Sequence, residues 1–594
     1  MKKVVIVFLA MAMTLAGCQK EDIWGSDPWN NGGENGNGSA QSYVSAGNST
    51  VSITDSEPAE DLIDNTSFDR TISIVFSQSG AATVSGDANG VVSVNGNHVT
   101  VDNTSTKEKV MYKLSGSTSD GFLKIYSKNK QAIVLDGVSL TNPKGAAINN
   151  QGKKRCFVVV NGTNTLSDGA SYTETPADED EKAAFFSEGQ LIFSGTGSLT
   201  VTAKGKSGIT SDDYVHFVSS PKVTVSSSAG HGIRGKDAVV ISDGTLEVTT
   251  TAAMKKGIAS DSLVVFNGGI TSVKVSGGTA YDDEDKEYKA SAGVKADQLF
   301  VMNAGSLTVS NSGQGGKGIS GDGKGYFQGG TVKVTVTGSN FGQSNGGGFP
   351  GGNNSSSDDN SKSAKGIKFD GNLYITSGSI IATAANHEAI ESKGLIEIAG
   401  GNVYAQSKDD AINSAGVMAI TGGYVCAYST GNDGLDANGN LFIEGGVIYA
   451  IGSGTPEVAI DANTEGGAHL YVNGGNLVAI GGLESGAVLS QDCYSASSWS
   501  KNTWYGFKVG TDTFAFKTPS SGGSGLVVSG SSQPTILSGV SVSGDASLFG
   551  GMLNVDGSLS GGSSVSLSTY SGGGGMGGFP GGGFPGGGGP GGIR

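Results

Sequence analysis

Short apolar runs separated by glycine, asparagine and aspartate recur through the middle of the chain. Residues 386–453 contain three copies of one unit, and each copy has three short β-rich pieces. The first piece of each unit carries an apolar anchor residue. The anchors Ile390, Ile412, Leu435 and Ile460 recur every 22 to 25 residues. A fixed period of this length predicts a solenoid.

Apolar and polar residues alternate after the Gly-Gly pair of each unit. Val403 and Ala405 follow one such pair and are expected to point inward, whereas Tyr404 between them is expected to point outward. No copy shows helical periodicity, which argues against a leucine-rich repeat. The pattern therefore predicts an all-β fold. It is a single-stranded, right-handed parallel β-helix with three strands per coil and β-rich N- and C-terminal caps.

Less regular segments flank the periodic part of the chain. Irregular β segments on either side suit caps, and the Gly-rich stretches beyond them suit flexible segments. The predicted divisions are a signal peptide at 1–18, a flexible tether at 19–40, an N-terminal β cap with the first coils at 41–145, a parallel β-helix at 146–482 with loop insertions at 173–182, 282–289 and 340–362, a C-terminal β cap at 483–570 and a disordered Gly/Pro-rich tail at 571–594.

The N-terminal residues have a basic start, a short apolar run and small residues before Cys18, which predicts a secretory signal. The sequence LAGC resembles the lipobox of bacterial lipoproteins, which implies that Cys18 is lipidated. The following Gln19-Lys20-Glu21-Asp22 resembles the signal that sends some Gram-negative lipoproteins to the outer face of the outer membrane. We therefore expect an outer-membrane lipoprotein that faces the cell exterior and contacts the membrane through its lipid only.

Composition narrows the classes of partner. The net charge of −16 argues against nucleic acid and permits divalent cations. The 101 glycines suit many tight turns between short strands. Cys156, Cys426 and Cys493 have no metal-ligand spacing, so we expect free thiols. We expect a monomer.

Several segments resemble one family of bacterial cell-surface β-helix proteins. They include LSGSTSDGFLKIY and IVLDGVSLTN within 114–168, and HGIRGKDAVVISDGTLEV from His231. Members of that family bind calcium and plant cell-wall polysaccharides, cellulose and pectin-like acidic sugars among them. The resemblance covers roughly 110–530 and implies a non-catalytic carbohydrate-binding β-helix. The family's Asp-Asp-Gly-Ile coil opening is retained in part at 409–412 and 432–435, whereas earlier coils have HGI, KKGI, GKGI or AKGI.

Two sets of aspartates are candidate calcium ligands. Stacked coils bring equivalent residues to about 4.8 Å from one another. Carboxylates at that spacing repel unless hydrogen bonds, raised pKa values or a cation offset the repulsion, and calcium takes several oxygen ligands. The alternative is that each aspartate caps its own turn. The candidates are Asp409, Asp410, Asp433, Asp436 and Asp461 in the later coils, and Asp261, Asp297, Asp322 and Asp370 three residues after the anchors of earlier coils.

Basic side chains lie near the anchors of the middle coils and give way to acidic ones in the later coils. A basic row at coil spacing would meet uronate carboxylates directly, and the acidic row would hold calcium that bridges to them. The alternative is a solvated edge on which neighbouring charges compensate one another. The candidate carbohydrate-binding residues on this edge are Arg234, Lys256, Lys295, Lys317, Lys365 and Lys368.

The outward column after Gly-Gly becomes apolar in the C-terminal half of the solenoid. Its members there include Ile381, Tyr404 and Tyr449. An exposed apolar row of this kind is expected to be covered. Either the segment 483–570 folds back over it, or Tyr404 and Tyr449 form a platform on which sugar rings stack.

We interpret the chain as a non-catalytic binder of polysaccharide at the cell surface, specifically of an acidic plant-wall or mucosal glycan or of cellulose. The alternatives are a lyase or hydrolase acting on pectin-like substrates, and a protein-binding adhesin or structural stalk. No catalytic residue is assigned. Arg234 is the one arginine on a regular coil edge, Asp410 and His231 lie several coils apart, and no nucleophile setting suggests a triad.

Overall fold

The solenoid dominates the structure, a computed structural model that describes residues 40–45, 49–51, 58–342 and 361–572. It is nearly all β and forms a parallel β-solenoid of about 15 turns, which confirms the predicted right-handed parallel β-helix. Within the described part of the chain, helical structure is confined to three 3₁₀ turns, Ile63–Asn65, Thr464–Gly466 and Ser547–Phe549.

Several predicted segments lie outside the described residues. They are the signal peptide at 1–18 with Cys18, nearly all of the tether at 19–40, most of the insertion at 340–362 and most of the tail at 571–594. Among the residues that the structure does describe, no helix is long and apolar enough to cross a membrane.

The first face of the solenoid is a 15-stranded sheet built from the anchor strands. Adjacent anchors pair in register, as Ile390 with Ile412 and Ile412 with Leu435 do, so one apolar ladder points inward. The strands are Val92–Asn95, His98–Asn103, Phe122–Ser127, Ile148–Asn150, Ala183–Ser187, Ser207–Ser211, Ile233–Gly235, Lys256–Ser260, Ala292–Ala296, Lys317–Gly321, Lys365–Phe369, Ile390–Ser392, Ile412–Ser414, Leu435–Ala437 and Ile460–Ala462.

The second face follows the first in every coil. Its alternate residues line the interior, where Phe193 and Phe217 stack with ring centroids 4.9 Å apart. The strands are Arg70–Phe76, Val110–Thr118, Gln131–Thr141, Cys156–Asn161, Leu191–Ser194, Tyr214–Phe217, Ala238–Ile241, Leu263–Phe266, Leu299–Met302, Lys324–Val336, Leu373–Ala384, Ile396–Ile398, Met418–Ile420, Leu441–Ile443, Leu470–Val472 and Val488–Leu489.

The third face is formed after the Gly-Gly turns. Three long strands of the second face, Gln131–Thr141, Lys324–Val336 and Leu373–Ala384, continue into it and pair with its strands. The remaining strands are Thr163–Ser167, Ser198–Ala203, Lys222–Ser227, Thr245–Thr250, Ile270–Val275, Ser306–Asn311, Asn402–Ser407, Tyr424–Ser429, Val447–Ile451 and Asn476–Ile480.

A glycine before the anchor brings the first and third faces close together. A Cβ added to Gly257 would lie 2.2 Å from Cγ1 of Val273 on the third face. Gly232 and Gly318 meet valines of their own coils at the same distance. The Gly-Ile pairs seen in the sequence therefore mark places where only a hydrogen side chain fits between two faces.

The N-terminal residues cross the outside of the second face. The described residues between 40 and 68, called the strap, contain no strand. Tyr43 packs on Phe442, Val51 packs near Val301, and Phe68 packs on Phe157. The strap therefore passes from late coils back to the first ones. The sequence interpretation instead assigned residues from 41 onward to a cap and first coils, and regular strands begin only at Arg70.

The C-terminal cap, residues 483–570, covers the later part of the third face. Leu526–Ser529 pairs antiparallel with Asn476–Ile480. A five-stranded sheet of Leu553–Asn554, Asp512–Lys517, Trp504–Val509, Thr535–Val542 and Leu559–Ser564 packs beside it. The strands Cys493–Ala496 and Ser568–Tyr570 extend the solenoid sheet. Elsewhere, the short strand Thr83–Ser85 pairs antiparallel with Arg70–Phe76, and Ala280–Asp282 pairs antiparallel with Glu287–Lys289.

This cap corrects the assignment of Tyr404 and Tyr449 as sugar-binding residues. Tyr449 is 0% exposed and Tyr404 is 4% exposed. The Tyr449 hydroxyl donates to the carbonyl oxygen of Lys517 at 2.9 Å, and its ring lies 5.3 Å from that of Phe516. Of the two alternatives, cover by the segment 483–570 is the one observed. The cap residues remove both rings from solvent, so neither ring is open to a sugar.

Candidate functional site

Two rows of charged side chains run along the outside of the first face. The front row is formed by the residue two positions before each anchor, and the rear row by the residue one position after it. The pairing of Lys256, Ala292, Lys317 and Lys365 in consecutive coils defines the front row. Pairing from Arg234 through Lys295 and Lys368 to Asp436 and Asp461 defines the rear row.

The aspartates three residues after the early anchors contact basic side chains of the rear row. Arg234 Nη2 lies 2.6 Å from Asp261 Oδ2. Lys295 Nζ lies 3.3 Å from Asp297 Oδ1 and also contacts Asp322. Lys368 contacts Asp370 in the same way. Each of the carboxylates of Asp261, Asp297, Asp322 and Asp370 therefore has a cationic partner within the protein, and their role as calcium ligands stays a prediction.

Two front-row lysines differ from these paired residues. Lys256 Nζ donates to the carbonyl oxygen of Met254 at 2.8 Å, and Lys317 Nζ lies 3.4 Å from that of Gly315. Within the described residues neither ammonium has a carboxylate within 4 Å. Burial in the first place, and neighbouring lysines in the second, lower the pKa of Lys256 to about 8 and that of Lys317 to about 7. A bound anion would therefore stabilise the charged form of both lysines.

The charge of the face reverses at Lys365. Its ammonium lies 3.1 Å from Glu388 and 2.6 Å from Glu391, and all three side chains are buried. Burial lowers the pKa of Lys365, but the attraction of the two glutamates for its charged form is larger. The net result is a raised pKa. Lys365 therefore lies where the basic half of the first face meets its acidic half. Both of its ion-pair partners are side chains of this protein.

The acidic half is formed by carboxylates that are crowded on stacked coils. Asp410 Oδ1 accepts from the backbone N–H of Asp433 at 3.1 Å, and Asp433 Oδ1 accepts from that of Val458 at 2.6 Å. Asn413 Nδ2 donates to Asp410 at 3.0 Å and to Asp436 at 2.6 Å. Two of the later aspartates therefore do cap the turn of the following coil.

Burial and mutual repulsion disfavour the charged form of these carboxylates. Burial first, followed by neighbouring acidic groups, raises the pKa of Asp433 to about 7 and that of Asp436 to about 6. The pKa values of Asp410 and Asp461 are raised for the same reason, and Glu484 is the main acidic neighbour of Asp461. A cation bound near these carboxylates would offset their mutual repulsion.

One further group of candidate ligands lies beside this cluster. His387, Glu388 and Asp409 offer ligand atoms within 4.8 Å of one another. Asp409 is a candidate ligand from the sequence and Glu388 belongs to the acidic row of the later coils, whereas His387 was not predicted. Glu388 has its pKa held low by His387 and Lys365 against the effect of burial. Glu484 was also missed, because it follows the last regular coil and no period indicated that it contacts Asp461.

The catalytic alternatives considered from the sequence find little geometric support. Arg234 is occupied by Asp261. His231 is half-buried, and its Nδ1 accepts from the backbone N–H of Lys256 at 3.0 Å. Burial first, and neighbouring cations next, lower the pKa of His231. His231 and Asp410 lie several coils apart on the first face, as expected.

A family model described as carbohydrate-binding domain-containing protein matches residues 95–262, 314–411 and 358–498, which together make up more than half of the chain. The chain belongs to this family. Membership indicates carbohydrate binding and makes polysaccharide the partner class.

One solved structure is similar to the chain. It is described as the polysaccharide lyase-like protein from C. thermocellum, in a gadolinium derivative, and is 23% identical with a TM-score of 0.30. The match covers 45% of this chain and 95% of that one. No curated protein matches the chain.

Proposed function

We propose that the first face binds an acidic polysaccharide, with calcium as a structural or bridging ion. The observation that carries the proposal is the pair of front-row lysines, Lys256 and Lys317, which are desolvated and lack a carboxylate partner among the described residues. A uronate polymer presents carboxylates at regular intervals and would supply the missing anions. Plant-wall and mucosal glycans belong to this class, and cellulose is a neutral alternative ligand.

Calcium is proposed for the acidic half of the same face. Asp410, Asp433 and Asp436 would hold it, with Asp409 and Asp461 nearby. The support is the raised pKa of the buried carboxylates, which marks an unfavourable accumulation of negative charge. When bound, the ion would offset that charge and offer open coordination positions to ligand carboxylates.

The proposed setting is the outer face of the outer membrane, with the chain attached through lipidated Cys18. The support for this location lies in the sequence alone, namely the short apolar run, the LAGC ending and the acidic residues after Lys20. A surface position would bring the first face into contact with extracellular glycan.

The first test is a binding isotherm of the mature protein on polygalacturonate and on cellulose. The titration is run with calcium and again with a chelator, and the mixtures are assayed for new reducing ends and unsaturated uronate. Saturable binding to polygalacturonate without product supports the proposal, and weaker binding after chelation supports the role of calcium. Product formation would instead favour a lyase or hydrolase, and no binding to either polymer would favour an adhesin.

A pair of double variants tests the front row itself. Lys256→Ala with Lys317→Ala is expected to weaken polygalacturonate binding about tenfold or more, because two charge-assisted contacts are lost. Lys274→Ala with Lys333→Ala removes the same charge from exposed positions on the third face and serves as the matched control. Equal effects of the two double variants would show that only net charge matters and would contradict the proposed site.

A further inference from the structure

A hydrogen-bonded Ser-His-Asp chain lies on the second face, away from the charged rows. His216 Nδ1 is 2.7 Å from Asp61 Oδ2, and His216 Nε2 is 2.9 Å from Ser242 Oγ. Asp61 comes from the strap, His216 from the strand Tyr214–Phe217, and Ser242 from the bend directly after Ala238–Ile241. No period relates the strap to the coils, so the sequence alone suggested no triad.

The hydrogen bonds define how the imidazole is oriented. Asp61 Oδ1 also accepts from Arg155 Nε and from the Tyr214 hydroxyl, both at 2.7 Å. Although burial raises the pKa of Asp61, the bonds from His216, Arg155 and Tyr214 outweigh it and hold the pKa below its usual value. An ionised Asp61 only accepts hydrogen bonds, so Nδ1 of a neutral His216 carries the proton. Its Nε2 is then free to accept the proton of Ser242 Oγ.

Accessibility differs along this chain of residues. The side chains of Asp61 and His216 are 0% and 3% exposed. Ser242 is half-buried at the corner between the second and third faces. The base is therefore shielded from water while the hydroxyl remains open to a ligand, which is the arrangement that nucleophilic catalysis requires.

An amide donor is stacked next to Ser242. Asn267 occupies the corresponding position one coil later, because Ile241 pairs with Phe266. Its Oδ1 accepts from Asn303 Nδ2 at 2.8 Å, and Asn303 Oδ1 accepts from Gln328 Nε2 at 2.8 Å. This ladder turns the Asn267 amide nitrogen away from Asn303 and toward the coil of Ser242. In the described part of the chain no group accepts from that nitrogen, so it is available to an oxyanion.

We propose that Ser242, His216 and Asp61 form a catalytic triad that hydrolyses carboxylic esters carried by polysaccharide hydroxyl groups. Ser242 Oγ attacks the ester carbonyl carbon while its proton passes to His216 Nε2. The bond from that carbon to the sugar oxygen breaks, and the sugar oxygen takes the proton from His216. Water then attacks the acyl-serine with His216 as base, which releases the carboxylic acid and restores Ser242. Asp61 is a positioning residue.

The surroundings of Ser242 select the class of ester. Val218 and Asn267 occupy its position in the two adjacent coils, about 4.8 Å away on each side. That spacing fits a short acyl group, such as acetyl, rather than a long chain. An ester on an extended polymer can reach Ser242 because Ser242 lies at the solenoid surface. This activity goes beyond the proposed binding function and uses a different face.

The test uses the mature protein with acetylated polygalacturonate and p-nitrophenyl acetate as probes. Acetate release is measured, and a fluorophosphonate is used to label the nucleophile, with the modified peptide identified by mass spectrometry. Ser242→Ala is expected to lower kcat at least ~10³-fold. Ser194→Ala is the matched control, since Ser194 has the corresponding position two coils earlier, whereas the hydrogen bonds of His216 go to Asp61 and Ser242.

Two further variants separate catalysis from a structural role of His216. Asn267→Ala is expected to lower kcat about a hundredfold with KM nearly unchanged, because a transition-state donor is lost. Asp61→Asn is expected to lower kcat while Ser242 can still be labelled slowly. An adduct on Ser242 together with activity that Ser194→Ala retains supports the triad. Absence of both turnover and labelling in the unmodified protein, or full activity in Ser242→Ala, overturns it. Glycan binding is measured in parallel and is expected to survive in every variant.

Discussion

Asp433 shows how one side chain serves both the fold and the proposed cation site. Its Oδ1 accepts from the backbone N–H of Val458, whereas burial and its acidic neighbours raise its pKa to about 7. Asn in place of Asp keeps an acceptor at Oδ1 and removes the charge. At pH 8 without calcium, Asp433→Asn is therefore expected to raise the free energy of unfolding by about 1–3 kcal/mol. Chemical denaturation measures this.

The control for that variant is Asp322→Asn. Asp322 contacts Lys295 at an exposed position, so losing its charge should cost no more than about 1 kcal/mol. Added calcium should raise the melting temperature of the unmodified protein and of Asp322→Asn. The increase for Asp433→Asn should be much smaller. If Asp433→Asn is less stable than the parent in calcium-free buffer, the Asp433 carboxylate is not destabilised by burial and charge repulsion in the folded state.

The raised carboxyl pKa values also predict a dependence of stability on pH. Asp433 and Asp436 have folded-state pKa values of about 7 and about 6, above their ordinary values near 4. Between pH 4 and pH 7 the folded state therefore holds more protons than the unfolded state, and its stability falls as the pH rises. Lys256 and Lys317 act in the opposite sense above pH 7, where their lowered pKa values leave the folded state with fewer protons.

We expect the melting temperature in chelator to be higher at pH 5 than at pH 7.5. Calcium should reduce that difference, because it binds the deprotonated carboxylates and so stabilises the folded state mainly at the higher pH. Melting curves at fixed ionic strength measure both effects. A melting temperature in chelator that rises from pH 5 to pH 7.5 would contradict the assignment of these carboxylates as the dominant titrating groups.

At the scale of elements, the contact between the C-terminal cap and the third face can be tested with two adjacent glycines. Gly550 and Gly551 both have positive φ, at 60° and 78°. A Cβ on Gly550 would lie 2.3 Å from Cζ of Tyr404, whereas one on Gly551 would meet nothing within 4 Å. Both substitutions by alanine cost about 1–2 kcal/mol of backbone strain.

Gly550→Ala is expected to cost about 1–3 kcal/mol more than Gly551→Ala, because its methyl group also overpacks the Tyr404 ring. Thermal unfolding of both variants gives the difference. Equal destabilisation by the two variants would mean that the cap is not held against Tyr404 in solution.

At the scale of the whole molecule, the periodic features were predictable from the sequence, whereas the docked segments were predictable only in part. The ladder of Ile390, Ile412 and Leu435 follows from sequence because a coil repeats its own pattern. For Tyr404 the sequence left two alternatives open, cover by the segment 483–570 or a sugar-stacking platform, since the cap has no period linking it to the third face. The contact of Asp322 with Lys295 was not predicted for a similar reason, because Lys295 comes from a different row of the adjacent coil.

The strap joins coils that otherwise do not touch. The Tyr43 hydroxyl donates to Glu397 at 2.7 Å, and Val51 N–H donates to Gln328 Oε1 at 2.7 Å. Asp61 binds Arg155 at 2.7 Å near the start of the solenoid. A solenoid without such a strap has contacts only between adjacent coils, so its stability is a sum of local contributions. The strap is therefore expected to make unfolding more cooperative.

Deleting residues 40–68 is expected to replace one melting transition by at least two, and to increase binding of a hydrophobic dye. The dye should bind because rings such as Phe442 and Tyr326 lose their cover. Arg155 and His216 would also lose Asp61, and leaving buried partners unpaired costs about 3–5 kcal/mol. The local control is Tyr43→Ala, which frees one end of the strap and should speed hydrogen exchange at Leu441–Ile443 but not at Tyr214–Phe217. A single, unshifted transition after the deletion would show that the coils cooperate without the strap.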